Sequence, residues 1–169
     1  MKIIFITRDP RAIASSGYAF FGRMDDYKPL FDLYNIKNVD DFARILFQGK
    51  MSYGCITQYN DAWKEFAEQH KEAQIHFVSY EDLSFNTARN ISEIAEFLDI
   101  KDVNVDKVVA GSKFESVDKH FKAPDDPNRK EVKVEYTHLV KRKGKTDTWK
   151  SELSEASLKL YQNCFECKN

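Results

Sequence analysis

The chain is 169 residues long, 42% hydrophobic, 14% aromatic and 31% charged, with six Gly and four Pro, which excludes collagen-like, low-complexity and wholly disordered chains. Twenty-six Lys and Arg against 27 Asp and Glu leave a net charge of -1, so no global field draws the protein to nucleic acid or an anionic membrane, and any anion site must be local. Length and composition predict one domain spanning residues 1–169. The longest apolar runs, such as Ile3 to Ile6, fall far below the roughly 18 residues of a membrane-spanning helix. The N-terminus lacks a signal-peptide h-region and three cysteines are too few for a disulfide framework, so the expected compartment is a reducing cytoplasm.

Lys2 to Thr7 is a continuous β-branched and aromatic run, the pattern of a strand covered on both faces in a parallel sheet. Asp9 can cap a helix with Pro10 at its first position, running through Ala12 to Ser16 towards Gly17 and Gly22. Asp40 to Phe47 predicts a short helix, and Tyr53 to His70 a longer one in which Tyr59, Trp63, Phe66 and Ala67 recur at helical steps. Ile75 to Tyr80 predicts a second strand, and Thr87 to Leu98 a helix with Ala88, Ile91, Ile94, Ala95 and Leu98 on one face. Helices are expected near Val103 to Ala110 and Lys113 to Phe121, a loop over residues 122–145, and a last helix from Ser154 to Phe165. Strands alternating with helices define an α/β class: a parallel sheet flanked by helices. Two strands are few for so many helices, so further βα units are expected upstream and the fold is expected to be N-terminally incomplete.

Arg8 falls where the first strand ends, and open α/β sheets bind ligands at the carboxyl ends of their strands. Ser16, eight residues on, offers a hydroxyl from the following helix. Two readings stand for the pair: an anion site, or an Arg8 that pairs with Asp9 or another carboxylate beside a Ser16 that merely packs small. A second basic cluster runs Lys141-Arg142-Lys143-Gly144-Lys145, and from Arg129 to Lys150 there are eight Lys or Arg against three Asp or Glu. Such groups suit a terminal phosphate, and a glycine lets backbone amides approach it; a solvated basic loop is the plainer alternative.

Gly144-Lys145-Thr146 imitates the end of a Walker A loop, but Leu139 stands where the leading glycine is required. His70, His76, His120 and His138 have neither metal-ligand nor catalytic-dyad spacing, and the lone Cys164-x-x-Cys167 lacks the second pair that zinc needs, so no metal site is expected. One aromatic, Trp149, in one basic cluster is a poor stacking platform for single-stranded nucleic acid.

The stretch from Lys2 to Tyr18, with Arg8 and Ser16 spaced by eight, resembles the 3′-phosphate-binding strand and helix of cytosolic sulfotransferases. Arg142-Lys143-Gly144 with Trp149 and Lys150 is similar to that family's C-terminal R-K-G-x-x-G-D-W-K element, and Phe47-Gln48-Gly49, Tyr53-Gly54, Trp63 and Val78 to Asp82 fall in the family's order. The resemblance implies the P-loop-nucleotide-hydrolase-like sulfotransferase fold. It also implies a site for 3′-phosphoadenosine 5′-phosphosulfate (PAPS), the sulfuryl donor, or its product 3′-phosphoadenosine 5′-phosphate (PAP). Carried over by residue, Arg8, Ser16, Arg142, Lys143 and Gly144 would hold the 3′-phosphate, while Tyr80, Ser112 and Phe114 would contact the adenine. Tyr80 and Phe114 can equally be core aromatics.

The resemblance also has gaps. The family's T-Y-P-K-S-G-T-T-type loop, which wraps the 5′-phosphosulfate and carries a lysine to the leaving oxygen, and its catalytic histidine have no counterpart among these residues, so no residue is assigned a catalytic role. The expectation is therefore a sulfotransferase that moves a sulfuryl group to a hydroxyl or amine acceptor in its complete form, with this chain alone inactive. The alternative is a non-catalytic nucleotide-binding or interaction protein. The family's dimer segment, K-x-x-x-T-V-x-x-x-E, reads Lys150, Ser154, Glu155 and Lys159 and is degraded.

Overall fold

The computed structural model describes residues 1–113 and 145–165. Strand β1 (Lys2–Thr7) pairs in parallel with β2 (Gln74–Ser79), in a register that sets Ile3 opposite Ile75, Phe5 opposite Phe77 and Thr7 opposite Ser79. A parallel pair cannot be closed by a tight turn. The connection here is four helices: α1 (Pro10–Phe21), α2 (Lys28–Leu33), α3 (Val39–Phe47) and α4 (Ile56–Gln69). After β2 come α5 (Tyr80–Phe85), α6 (Thr87–Phe97) and α7 (Val105–Ser112), and beyond residue 145 α8 (Trp149–Glu152) and α9 (Glu155–Phe165). The predicted Lys113 to Phe121 helix and most of the 122–145 loop lie outside the described residues.

Helix α1 starts as its sequence dictates: the Asp9 carboxylate accepts from the Arg11 amide at 2.8 Å, with Pro10 at the first helical position. Its Gly17 lies against α3. A Cβ there would stand 3.0 Å from the ring of Phe42, so the glycine is what lets these helices approach so closely. Phe42, Ala43, Ile45 and Leu46 of α3 are wholly buried with Ala14 of α1, and Phe47 meets Tyr161 and Phe165 of α9 at centroid distances of 5.5 and 5.7 Å. Asp40 fixes the start of α9 from across the core: its Oδ1 accepts from the Ser154 amide and hydroxyl, both at 2.9 Å, and from the Ser157 hydroxyl at 2.6 Å. Burial raises the Asp40 pKa, but these donors outweigh it and hold the carboxyl below its ordinary value.

Alternation along the strands sorts side chains onto two faces. Phe5 turns towards α4, where Trp63 and Tyr59 meet its ring at 5.3 and 5.9 Å. His76 turns the other way and packs on Phe97 of α6 at 5.4 Å. The expectation that the first strand is covered on both faces fails at Ile6, which is 57% exposed while its β2 partner Val78 is buried; α6 packs on β2 and meets β1 at Lys2, whose ammonium lies 5.7 Å from the Phe97 ring.

Other elements also differ from the sequence reading. Tyr80 leaves the second strand to open α5, because Ser79 accepts the Asp82 amide at 3.0 Å and caps a helix whose first turn carries Glu81 and Asp82. Helix α4 starts at Ile56 rather than near Tyr53, since Gly54 has a left-handed φ of 74°. The 3₁₀ turn Asp25–Tyr27 and α2 have no sequence signal; they hold together through Phe31, whose ring lies 6.1 Å from Tyr18 and 6.0 Å from Phe42.

Candidate functional site

The register of the sheet makes the site. Because Thr7 is opposite Ser79, the two chains leave the sheet side by side, and Arg8 emerges beside Tyr80. The Arg8 guanidinium carbon lies 4.3 Å from the Tyr80 ring centroid, a cation–π stack at the carboxyl end of both strands. Its Nε is buried and has no hydrogen-bond partner among the described residues. A buried donor left unmet costs about 1 to 3 kcal/mol, which gives this N–H a use for an acceptor.

Asp9 does not meet that need. Its carboxylate is taken by Arg11, whose Nε donates to Oδ1 at 3.0 Å and whose Nη2 donates to Oδ2 at 2.8 Å. Among the described residues Arg8 forms no ion pair, which removes the Arg8–Asp9 pairing that the sequence left open. The Asp9 amide in turn donates to Glu81 Oε1 at 3.1 Å, so the turn after β1 is fastened to the turn after β2.

The remaining predicted residues are distributed as follows. Ser16 is half-buried on α1, beside the fully buried Ser15. Ser112 ends α7, where its hydroxyl donates to the Val109 carbonyl at 3.0 Å. Phe114, Arg142, Lys143 and Gly144 lie outside the described residues. The first residues after them return to the Arg8 end of the sheet. A cavity of about 490 Å³ there is bounded by Asp9, Glu81 and Ser84 on one side and by Lys145, Thr146 and Trp149 on the other.

Apart from Trp149, sequence reasoning did not single out the groups that hold this region together. Ser15 bonds the Glu152 carboxylate and lies 3.5 Å from the Thr148 hydroxyl, joining α1 to α8. The Arg11 guanidinium carbon sits 4.0 Å from the Trp149 centroid and 4.6 Å from that of Tyr161. The only available hint was the basic residue in the first turn of α1, where the helix dipole disfavours a cation and an Arg therefore needs a local reason. Among the described residues no group of acidic, His and Cys side chains could hold a metal, and no helix is long and apolar enough to cross a membrane.

Comparison with known proteins agrees with this architecture. The family model described as a sulfotransferase domain matches residues 1–169. Human sulfotransferase 2A1 is 25% identical over 99% of this chain and 56% of its own length, and mouse sulfotransferase 1E1 is 25% identical over 92% of this chain and 50% of its own. Among solved structures, mouse sulfotransferase SULT7A1 complexed with PAP superimposes with a TM-score of 0.75 at 19% identity, covering 99% of this chain and 59% of that one. Retinol dehydratase, in complex with androsterone and the inactive cofactor PAP, gives 0.71 at 20% identity over 98% of this chain and 46% of that one. The fold is thus the α/β fold of sulfotransferases. The chain belongs to the sulfotransferase family, and it spans about half the length of the relatives it matches.

Proposed function

We propose that the chain binds the 3′-phosphate end of PAPS or PAP, with Arg8 as the principal charged ligand. The observation that carries this is the buried, unpartnered Arg8 Nε on a guanidinium already braced by Tyr80. A dianionic phosphate supplies the acceptor that this donor lacks, and a guanidinium can meet two of its oxygens at once. Ser16, Arg142, Lys143 and Gly144 are proposed to share the phosphate, and Tyr80, Ser112 and Phe114 to face the adenine. PAP, which both structural relatives hold in their complexes, supports this ligand class.

When bound, PAPS supplies the sulfuryl group, and the proposed activity of the complete protein is its transfer to a hydroxyl or amine of a small-molecule acceptor. Androsterone, which retinol dehydratase holds in its complex, is a hydroxyl-bearing compound of that kind. This chain's own residues contribute binding and orientation. Transfer also needs a base for the acceptor proton and positive charge at the leaving oxygen. Neither described histidine stands at Arg8: His70 Nδ1 is 3.1 Å from Glu72, and His76 lies mid-strand against Phe97. The 169-residue chain alone is therefore proposed to be inactive, which favours nucleotide binding without turnover as its own property.

Thermal shift with PAP and with adenosine 5′-phosphate tests the binding role. PAP is expected to raise Tm and the nucleotide lacking the 3′-phosphate to do so much less. Equal shifts would remove the role given to Arg8. Robust sulfation of a simple phenol by the purified chain, with PAPS present, would overturn the proposed inactivity.

A further inference from the structure

We infer that Arg11 is a positioning residue for Arg8: by binding and neutralising the Asp9 carboxylate, it keeps that carboxylate away from the anion site and leaves the Arg8 donor free. The inference rests on the phosphate-binding role proposed for Arg8.

The physical problem is one of adjacency. Asp9 is needed as the cap of α1, yet it places a carboxylate one residue from the guanidinium meant to receive an anion. A free Asp9 carboxylate could swing onto Arg8 and satisfy it internally, and it would also repel an incoming phosphate. Arg11 removes both difficulties. Its two parallel donors occupy both Asp9 oxygens, at 3.0 and 2.8 Å, and the side chains are only 27% and 21% exposed, so the pair is partly withdrawn from water and from salt screening.

Arg11 is itself held where it must be. Its guanidinium lies against Trp149 at 4.0 Å and Tyr161 at 4.6 Å, which fix its position from α8 and α9. The Glu81 carboxylate holds the Asp9 amide from the opposite side. The turn that presents Arg8 is thereby clamped between the end of β2 and the C-terminal helices, with the Asp9 charge neutralised.

The test is the ratio of dissociation constants for adenosine 5′-phosphate and PAP, measured by calorimetry on the full chain and its variants. Wild type is expected to prefer PAP, and Arg11→Ala to lose about tenfold of that preference. Adding Asp9→Asn to Arg11→Ala should restore most of it, because Asn still caps the helix but carries no charge. Ile45→Ala, in the core away from the turn, serves as a variant of lowered stability and should keep the full ratio. If Arg11→Ala does not fold, Arg11→Gln, which keeps a flat amide against Trp149, is read in the same way.

A preference retained in the Arg11 variant overturns the inference while leaving the phosphate site intact. Loss in the Ile45 variant, or no rescue by Asp9→Asn, overturns it in favour of a merely structural role. A wild-type chain with no preference for PAP overturns the phosphate site and the inference together.

Discussion

Arg8 and Tyr80 touch because Thr7 and Ser79 are register partners, so a contact between residues 72 positions apart in sequence is set by a single pair of parallel strands. Tyr80 is also the first residue of α5, capped by Ser79. The stack is thus built from a sheet end and a helix start, both more rigid than a loop.

The ring's contribution can be separated from that of its hydroxyl. Tyr80→Phe should leave PAP affinity close to that of wild type, whereas Tyr80→Leu should weaken it by about 0.5 to 1 kcal/mol, a few-fold in Kd, as the guanidinium loses its brace. Arg8→Lys should weaken it further, since an ammonium lacks the flat face and the fork. Calorimetric titration with PAP checks all three, and a Leu variant that binds as wild type would show that the stack does not orient Arg8.

Asp40 gives the fold an acid-sensitive joint between α3 and α9. Its folded carboxyl lies below the ordinary value of 3.8, so the stabilisation is fully present above about pH 4 and is lost as pH falls through the lower folded value. Asp40→Asn should lower stability by about 1 kcal/mol at neutral pH and flatten the acid limb of a Tm-against-pH curve. An unchanged acid limb would mean that the Ser154 and Ser157 bonds do not matter to folding.

Gly17→Ala sets two effects against each other. Alanine gains about 1 kcal/mol of helix propensity. Its methyl group would meet Phe42, which is wholly buried and hemmed in by the rings of Tyr18, Phe21 and Phe31 within 6.3 Å, so the ring cannot retreat. Overpacking of about 1 to 3 kcal/mol should win, and urea denaturation should show a net loss of stability.

Asn90 is 1% exposed, and its amide nitrogen donates to the Asp82 carbonyl at 3.1 Å, to Asp82 Oδ2 at 2.9 Å and to the Asn86 carbonyl at 3.1 Å. Asn90→Leu removes one donor from each of these acceptors, which keep the Asn86 amide, Arg89 and the Asn90 amide respectively, and should cost about 0.5 to 1.5 kcal/mol, read from the denaturation midpoint. Asp82 is held below its ordinary pKa by the amides of Asn86 and Asn90, with Arg89 adding to them, so in the variant its pKa, followed by NMR, should rise towards normal.

Much of this was legible in the chain itself, and the exceptions have physical causes. The first strand, the Asp9–Pro10 helix start and the periodic stretches that became α3, α4 and α6 are local signals, and local signals survive into the fold. Helix α2 went unread because six residues carry too little periodicity, and its order comes from Phe31 packing at a distance. Arg8 was legible as a strand-end cation, but the Arg11–Trp149 contact joins residues brought together only by tertiary structure. The same holds for Ser15 and Glu152. Sequence spacing named residues with the chemistry to hold a phosphate and was silent on those that hold Arg8, the proposed phosphate ligand, in place.

The parallel pairing of Lys2–Thr7 with Gln74–Ser79 has a temporal side as well. During synthesis β1 precedes β2 by the whole of α1 to α4, so this particular pairing, and the Arg8–Tyr80 stack that depends on it, forms only after all four helices have left the ribosome. A ligand site hung on that stack is therefore a late product of folding, assembled after the helices that separate its two halves.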